Sequence, residues 1–263
     1  MLWKEYNFDK IIAIGDVHGH YETLMALIEK LPKDIPIFFL GDLIDKGKRS
    51  KEVVEYVKNH HYSARGNHDN LMAIEASPNW KRYESLWLEN NGKMTHRSYG
   101  GKYKLRNSRE FSKIYYDHVN WIKSLPLVME FPNIQINGRT LYLSHSSIDE
   151  AIKQKGSLDN LKNFLINSDH SLIRHHTNLK TAGAEELAIA NIMWKVLKEG
   201  NIKDNNIFNV FGHTAAEEAR IENHYACIDT KVYGPNKLTA LILPEMKIIS
   251  QETLEDTWGH KKS

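Results

Sequence analysis

Ile11-Ile12-Ala13-Ile14-Gly15-Asp16-Val17-His18-Gly19-His20 decides how this chain is read. An apolar run of strand length passes directly into a polar loop that carries a carboxylate and an imidazole two positions apart. The construction recurs along the chain. Ile35 to Leu40 leads into Gly41-Asp42-Leu43-Ile44-Asp45, and Tyr62-Ser63-Ala64 into Arg65-Gly66-Asn67-His68-Asp69. Leu141-Tyr142-Leu143 leads into Ser144-His145, and Ile207 to Phe211, interrupted by Asn209, into Gly212-His213-Thr214. Five strand candidates thus deliver Asp, Asn or His at their C-terminal ends, where loops are free to carry chemistry. Tyr225 to Ile228, Leu238 to Leu243 and Lys247 to Ser250 read as further strands.

Helical patterns lie between the strands. Leu24, Leu27, Ile28 and Leu31 keep the spacing of one helix face, and Pro32 stops that helix. Val53, Val54 and Val57 mark a second helix, with Ser50 as its expected N-cap. Asn70 to Ala76 and Trp80 to Leu88 read as helices, as does the stripe Phe111, Ile114, His118, Trp121, Leu125 before Pro126. Leu187 to Leu197 closes the set, ahead of Gly200. Strand–helix alternation in the first half predicts parallel β-α units. The second half is richer in strands, and Tyr233-Gly234-Pro235 suggests a hairpin. The expected architecture is α/β of the four-layer α+β type: a central β-sandwich of mixed sheets flanked by helices. It forms one domain over residues 1–263, with a helical insertion at about 148–206 and the motifs along one edge.

Composition removes several alternatives. An apolar share of 41% and a charged share of 26% exclude wholesale disorder. Lys and Arg number 35 against 33 Asp and Glu, so no basic field calls for a nucleic-acid partner. Cys227 is the only cysteine, which rules out an internal disulfide and a multi-cysteine zinc or iron–sulfur site. Four charges in the first ten residues argue against a signal peptide, and no apolar run approaches the roughly 18 residues that span a bilayer. A cytoplasmic protein without a membrane partner is expected.

Asp16, His18, Asp42, Asn67, His145 and His213 make a candidate metal site. Mixed imidazole and oxygen donors suit Mn, Fe, Zn or Ni better than Ca or Mg. Six donors suffice for two ions that share a carboxylate, and such a pair can activate water and clamp the oxygens of an in-line phosphoryl displacement. Capping and loop hydrogen bonding at strand ends is the plainer reading of these residues. His118 lies on an apolar stripe and reads as a core histidine, and His60-His61 as structural. Trp80, Tyr83 and Trp87 read as core, and His175-His176 as solvated loop residues.

The motifs resemble those of the calcineurin-like metallophosphoesterases, within them the bacterial and phage branch of phosphoprotein phosphatases. They are Gly15-Asp16-Val17-His18-Gly19, Gly41-Asp42 to Asp45, Arg65-Gly66-Asn67-His68-Asp69, His145 and Gly212-His213-Thr214, in the family's order. Leu88-Glu89-Asn90-Asn91-Gly92 and Cys227-Ile228-Asp229-Thr230 resemble secondary landmarks. The resemblance implies two divalent transition-metal ions, with manganese foremost. Asp16 and His18 would hold the first, Asn67, His145 and His213 the second, and Asp42 both. It further implies attack by a metal-bridging hydroxide, His68 as the general acid held by Asp45, and Arg65 on the phosphoryl oxygens.

The chain departs from the pattern at three places. Asp45-Lys46-Gly47 replaces Asp-Arg-Gly, Trp194-Lys195-Val196 offers only Lys195 near an expected arginine, and Ser146-Ser147 follow His145. Lys46 and Lys195 are thus the candidate phosphate-binding residues, with surface solvation as the plainer reading of each. The expected activity is a serine/threonine protein phosphatase acting on a phosphorylated protein or a small phosphoester. The alternatives are a dinucleoside polyphosphate hydrolase, a cyclic-nucleotide phosphodiesterase, or a metal-binding module without turnover. Asp45 favours the first, and Ala215, where phosphodiesterases carry a second histidine, argues against the third.

Overall fold

A computed structural model describes residues 1–75, 87, 91–100, 113–168, 184–196 and 206–255. The strands are β1 (Trp3–Glu5), β2 (Ile11–Ile14), β3 (Ile37–Phe39), β4 (Tyr62–Ser63), β5 (Val128–Ile136), β6 (Arg139–Ser144), β7 (Ile207–Phe211), β8 (Arg220–Ile221), β9 (Tyr225–Cys227), β10 (Lys237–Leu243) and β11 (Lys247–Glu252). The helices are α1 (Tyr21–Lys30), α2 (Ser50–His60), α3 (Asn67–Glu75), α4 (Gly92–Ser98), α5 (Lys113–Ser124), α6 (Asp149–Lys155), α7 (Leu158–Asn167) and α8 (Ala184–Trp194). The predicted helix over Trp80–Leu88 (Trp87 apart), the start of the α5 stripe at Phe111, and His175-His176 lie outside the described residues.

Two mixed sheets form the centre. One runs β1-β5-β6-β7-β9-β8 and the other β11-β10-β2-β3-β4. Side-chain alternation explains why they stack face to face. Ile11, Ala13, Phe38 and Leu40 of the second sheet meet Met129, Leu141, Leu143, Phe208 and Val210 of the first in one buried layer. Their neighbours of opposite parity, Ile12, Ile14 and Phe39, turn outward beneath Leu24, Leu27, Val53, Val57 and Val119 of α1, α2 and α5. Val128, Tyr142 and Ile207 turn to the other outside, under Leu161, Leu165, Ile189 and Met193 of α7 and α8. The result is helix, sheet, sheet, helix. Each fully buried aliphatic or aromatic side chain contributes about 1.5–3 kcal/mol, so burial on both faces explains why these strands read as continuous apolar runs.

β2, β3 and β4 pair in parallel, as the β-α alternation predicts. One strand went unread in the sequence, and two local expectations need correction. β5 has no clean sequence signal because Pro132 and Asn133 interrupt it, and the β5–β6 register slips between Phe131 and Gln135. Ser50 is the first residue of α2 rather than its cap, and its hydroxyl accepts the Asp45 N–H at 3.2 Å. Tyr233-Gly234-Pro235 does not close a hairpin. β9 and β10 belong to different sheets, and the hairpin is β10–β11 further on. Asn209, the polar break in β7, is fully buried; its amide donates to Tyr142 O and Ser144 Oγ, and its Oδ1 accepts Ile148 N–H at the start of α6. Among the described residues no helix is long and apolar enough to cross a membrane.

Candidate metal centre

Parallel strands that end on one edge bring their following loops together. Asp16 and His18 follow β2, Asp42 and Asp45 follow β3, Asn67 and His68 open α3 after β4, His145 follows β6 and His213 follows β7. Asp42 joins two groups whose ligand atoms lie within 4.8 Å of one another, one with His18 and His68, the other with His145 and His213. One Asp42 oxygen lies 3.6 Å from His18 Nε2 and the other 3.4 Å from His145 Nε2. Asn67 Oδ1 is 2.7 Å from His145 Nε2 and 3.0 Å from His213 Nδ1. Asp16 stands 4.0 Å from His18 and accepts the His213 backbone N–H on both oxygens.

The backbone is bent to make this possible. His18, Asp42, Asp45, Lys46 and His213 all have φ between 48° and 72°, a region that side-chain-bearing residues rarely occupy. Two motif glycines are dictated by the same crowding. A Cβ on Gly66 would come within 2.2 Å of Asp42 Oδ1, and one on Gly212 within 1.9 Å of Asp16 Oδ1. Asp69 holds the Asp42 turn from below, accepting the N–H groups of Asp42, Leu43 and Gly66 at 2.8–3.0 Å. Burial, then the nearby Asp42 charge, raises its pKa to about 7. The sequence offered Asp69 only as the last letter of a motif.

The donor chemistry fits divalent ions. His18 Nδ1 bonds Ile44 O and His145 Nδ1 bonds Leu40 O, each at 2.9 Å, so in the neutral rings the proton sits on Nδ1 and Nε2 presents a bare lone pair. The lone pair of His145 then faces the Asn67 amide oxygen, and that of His18 faces carboxylate oxygens. At His145 this acceptor-to-acceptor approach asks for a cation between the two atoms, whereas at His18 the Lys46 ammonium fills that place. Burial depresses the pKa of all three candidate ligand histidines, with His213 brought down to about 3, which favours the neutral rings a metal would need. Burial alone would raise the Asp42 pKa, but His145, His68 and His18 around it hold the carboxyl well below its ordinary range. For Asp16, burial and then the Asp229 and Asp42 charges act in the opposite direction.

His68 Nδ1–H donates to Asp45 Oδ2 at 2.7 Å, and Nε2 faces Asp42 at 3.9 Å. Burial opposes the His68 charge, but Asp42 and Asp45 outweigh it and raise the pKa. Lys46 turns inward. Its Nζ donates to His18 Nε2 at 2.8 Å and lies 3.6 Å from the ring centroid of Tyr233. A cation therefore already stands on the His18 lone pair.

Two expected phosphate contacts are placed elsewhere. The Arg65 guanidinium is buried beneath α3 and donates to Lys123 O, Leu125 O and Asn70 Oδ1, so it ties the end of α5 to the β4–α3 turn. Burial lowers its pKa to about 9. Lys195 pairs with Glu150 at 3.8 Å, a third exposed. Ser146, where small residues were expected, donates its hydroxyl to Asn191 O and Ile192 O and so fastens α8 beside His145. His118 is a satisfied core histidine between Tyr99 and Glu55.

The sequence profile of the calcineurin-like phosphoesterases matches residues 9–219, more than half of the chain. The chain belongs to the calcineurin-like phosphoesterase family. It is a metal-dependent phosphoester hydrolase of that family. It is 27% identical over 259 residues to an asymmetrical bis(5'-nucleosyl)-tetraphosphatase of Oceanobacillus iheyensis, covering 92% of this chain and 91% of that protein. A tetraphosphatase of the same description from Bacillus cereus is 26% identical over 261 residues, covering 92% and 93%. The likeness to a serine/threonine-protein phosphatase PP1-delta of Caenorhabditis elegans is 36% over only 69 residues, covering 22% of each chain. Among solved structures, a cold-active protein-tyrosine phosphatase of a Shewanella species superposes with a TM-score of 0.58 at 18% identity, covering 95% of this chain and 79% of that one. At that identity the likeness establishes the fold alone.

Proposed function

We propose that this phosphoesterase cleaves the phosphoanhydride chain of a dinucleoside polyphosphate asymmetrically. The observation that carries the reading is the likeness to two tetraphosphatases over nine-tenths of the chain, set against a protein-phosphatase likeness over 69 residues. In this reading Asp16 and His18 would hold one ion, Asn67, His145 and His213 would hold the other, and Asp42 would serve both sets. Bound divalent ions, manganese foremost, supply a Lewis acid and a water of lowered pKa. Lys46 offsets charge on the polyphosphate, and the Tyr233 ring beside it flanks the entrance. A water oxygen bonds to phosphorus and gives up a proton to solvent as the P–O bond breaks; the electron pair leaves with the departing oxygen, and His68 Nε2–H supplies a proton to it while Asp45 holds Nδ1.

The His68–Asp45 pair favours a second reading, a serine/threonine protein phosphatase. A serine alkoxide leaves only with a proton, whereas a nucleotide phosphate is a good leaving group without one. The manganese-loaded protein, given a dinucleoside tetraphosphate, a phosphoserine peptide and a cyclic nucleotide in parallel, separates the two. The expected result is equimolar nucleoside mono- and triphosphate, with kcat/KM above that for the peptide. A higher kcat/KM on the peptide would establish the second reading. No turnover of any substrate would leave a binding module.

A further inference from the structure

Asp45 is fully buried, and the imidazole is one of three side chains that bond its carboxylate. The indole N–H of Trp87 spans both oxygens, 2.8 Å from Oδ2 and 3.1 Å from Oδ1. The Thr95 hydroxyl donates to Oδ1 at 2.5 Å and accepts the Asp45 backbone N–H at 3.0 Å. Thr95 thus grips Asp45 at both ends, across a residue whose φ of 72° needs outside support. Gly92 completes the unit, since a Cβ there would press within 2.7 Å of the Trp87 ring. α4, which carries Thr95, is pinned at its far end by the Tyr99 hydroxyl on His118 Nδ1 at 2.7 Å.

We propose that Trp87 and Thr95 are positioning residues for the proton donor His68, acting through Asp45. The inference rests on the reading of His68 as that donor. A carboxylate buried with one partner is free to rotate, and its remaining lone pairs go unsatisfied. Two further donors, Trp87 across both oxygens and Thr95 on Oδ1, fix the plane of the Asp45 carboxylate. Oδ2 is then aimed at Nδ1–H, and the remaining nitrogen is left facing the reaction centre. Trp87 is therefore more than the core aromatic its spacing suggests.

The test uses the full chain and two readouts. In chelated protein, proton NMR of the hydrogen-bonded His68 Nδ1–H, assigned by its absence in His68→Asn, needs no turnover. Thr95→Val keeps the shape, Trp87→Phe keeps an aromatic ring, and each removes one donor. Both are expected to shift or broaden that resonance, and Thr95→Ser to restore it. In metal-loaded protein the same two variants should lose roughly tenfold in kcat on a phosphoserine peptide, the scale of one hydrogen bond to a charged group. They should lose far less on para-nitrophenyl phosphate, whose leaving group needs no proton. An unchanged resonance, or equal losses on both substrates, would overturn the proposal and leave Trp87 and Thr95 as packing. If His68→Asn itself fails to distinguish the substrates, the donor role assigned to His68 falls, and the resonance alone decides the positioning claim.

Discussion

Lys46 stands where the family resemblance leads one to expect arginine and Lys195 one position from another such place, and the two meet opposite fates. The loop after β3 is held from within. Asp69 accepts the N–H groups of Asp42 and Leu43, Ser50 and Thr95 accept that of Asp45, and left-handed backbone at Asp42, Asp45 and Lys46 turns the chain back over the site. Lys46 is carried inward onto His18 and Tyr233. Among the described residues no comparable buried network holds the segment after α8 at Lys195, which reaches a partly exposed glutamate. A lysine offered in an arginine's stead is therefore a site feature in one place and a surface pair in the other. What separates them is whether buried hydrogen bonds fix the backbone beneath.

The sharpest way to break this contrast is to disable the locked loop at its centre. Asp42→Asn is expected to abolish hydrolysis and binuclear occupancy in a protein that still folds, because a neutral amide serves two cations poorly. Metal content and circular dichroism, measured together, check it. Two equivalents of metal with near-normal turnover would break the assignment. Next in size, Lys46→Ala should cost about 1.5–3 kcal/mol of transition-state binding, roughly 10- to 150-fold in kcat/KM. Lys46→Arg should match or exceed the native chain, and a silent Lys46→Ala would place the lysine with its surface counterpart. Arg65→Met tests a different part of the same frame. Loss of its bonds to the Lys123 and Leu125 carbonyls should lower unfolding stability by about 1–3 kcal/mol, with KM nearly unchanged. A large rise in KM with stability intact would return Arg65 to the phosphate. The smallest effect belongs to the outer segment. Lys195→Ala removes an exposed pair worth about 0–1 kcal/mol, so kcat/KM should stay within roughly threefold. A loss as large as that of Lys46→Ala would erase the distinction between the two regions.

The likeness to tetraphosphatases over nine-tenths of the chain changes the weight given to Asp45. Read from its motif, Asp45 favours a protein phosphatase. In the fold it belongs to a four-residue assembly with His68, Trp87 and Thr95 that would serve any departing oxygen in need of a proton. The substrate comparison is thus the experiment on which the choice turns.

Much of this protein was legible from the chain alone. Apolar runs ending in Asp, Asn or His named six convergent polar residues and the sheet edge that gathers them, because strand period and strand polarity are local properties. Local pattern also placed His118 in the core and Pro32 at the end of α1. It failed where geometry is set by distant partners. Whether Arg65 faces phosphate or the carbonyls closing α5 depends on a helix some sixty positions away. The indole of Trp87 meets Asp45 across 42 residues, and no periodicity separates that from ordinary core packing. Tyr233 sits against Lys46 because the chain crosses between sheets there, where its Gly-Pro turn suggested a hairpin. Side-chain direction in a buried site follows from which backbone groups must be satisfied, and only the folded chain decides which of them come within reach.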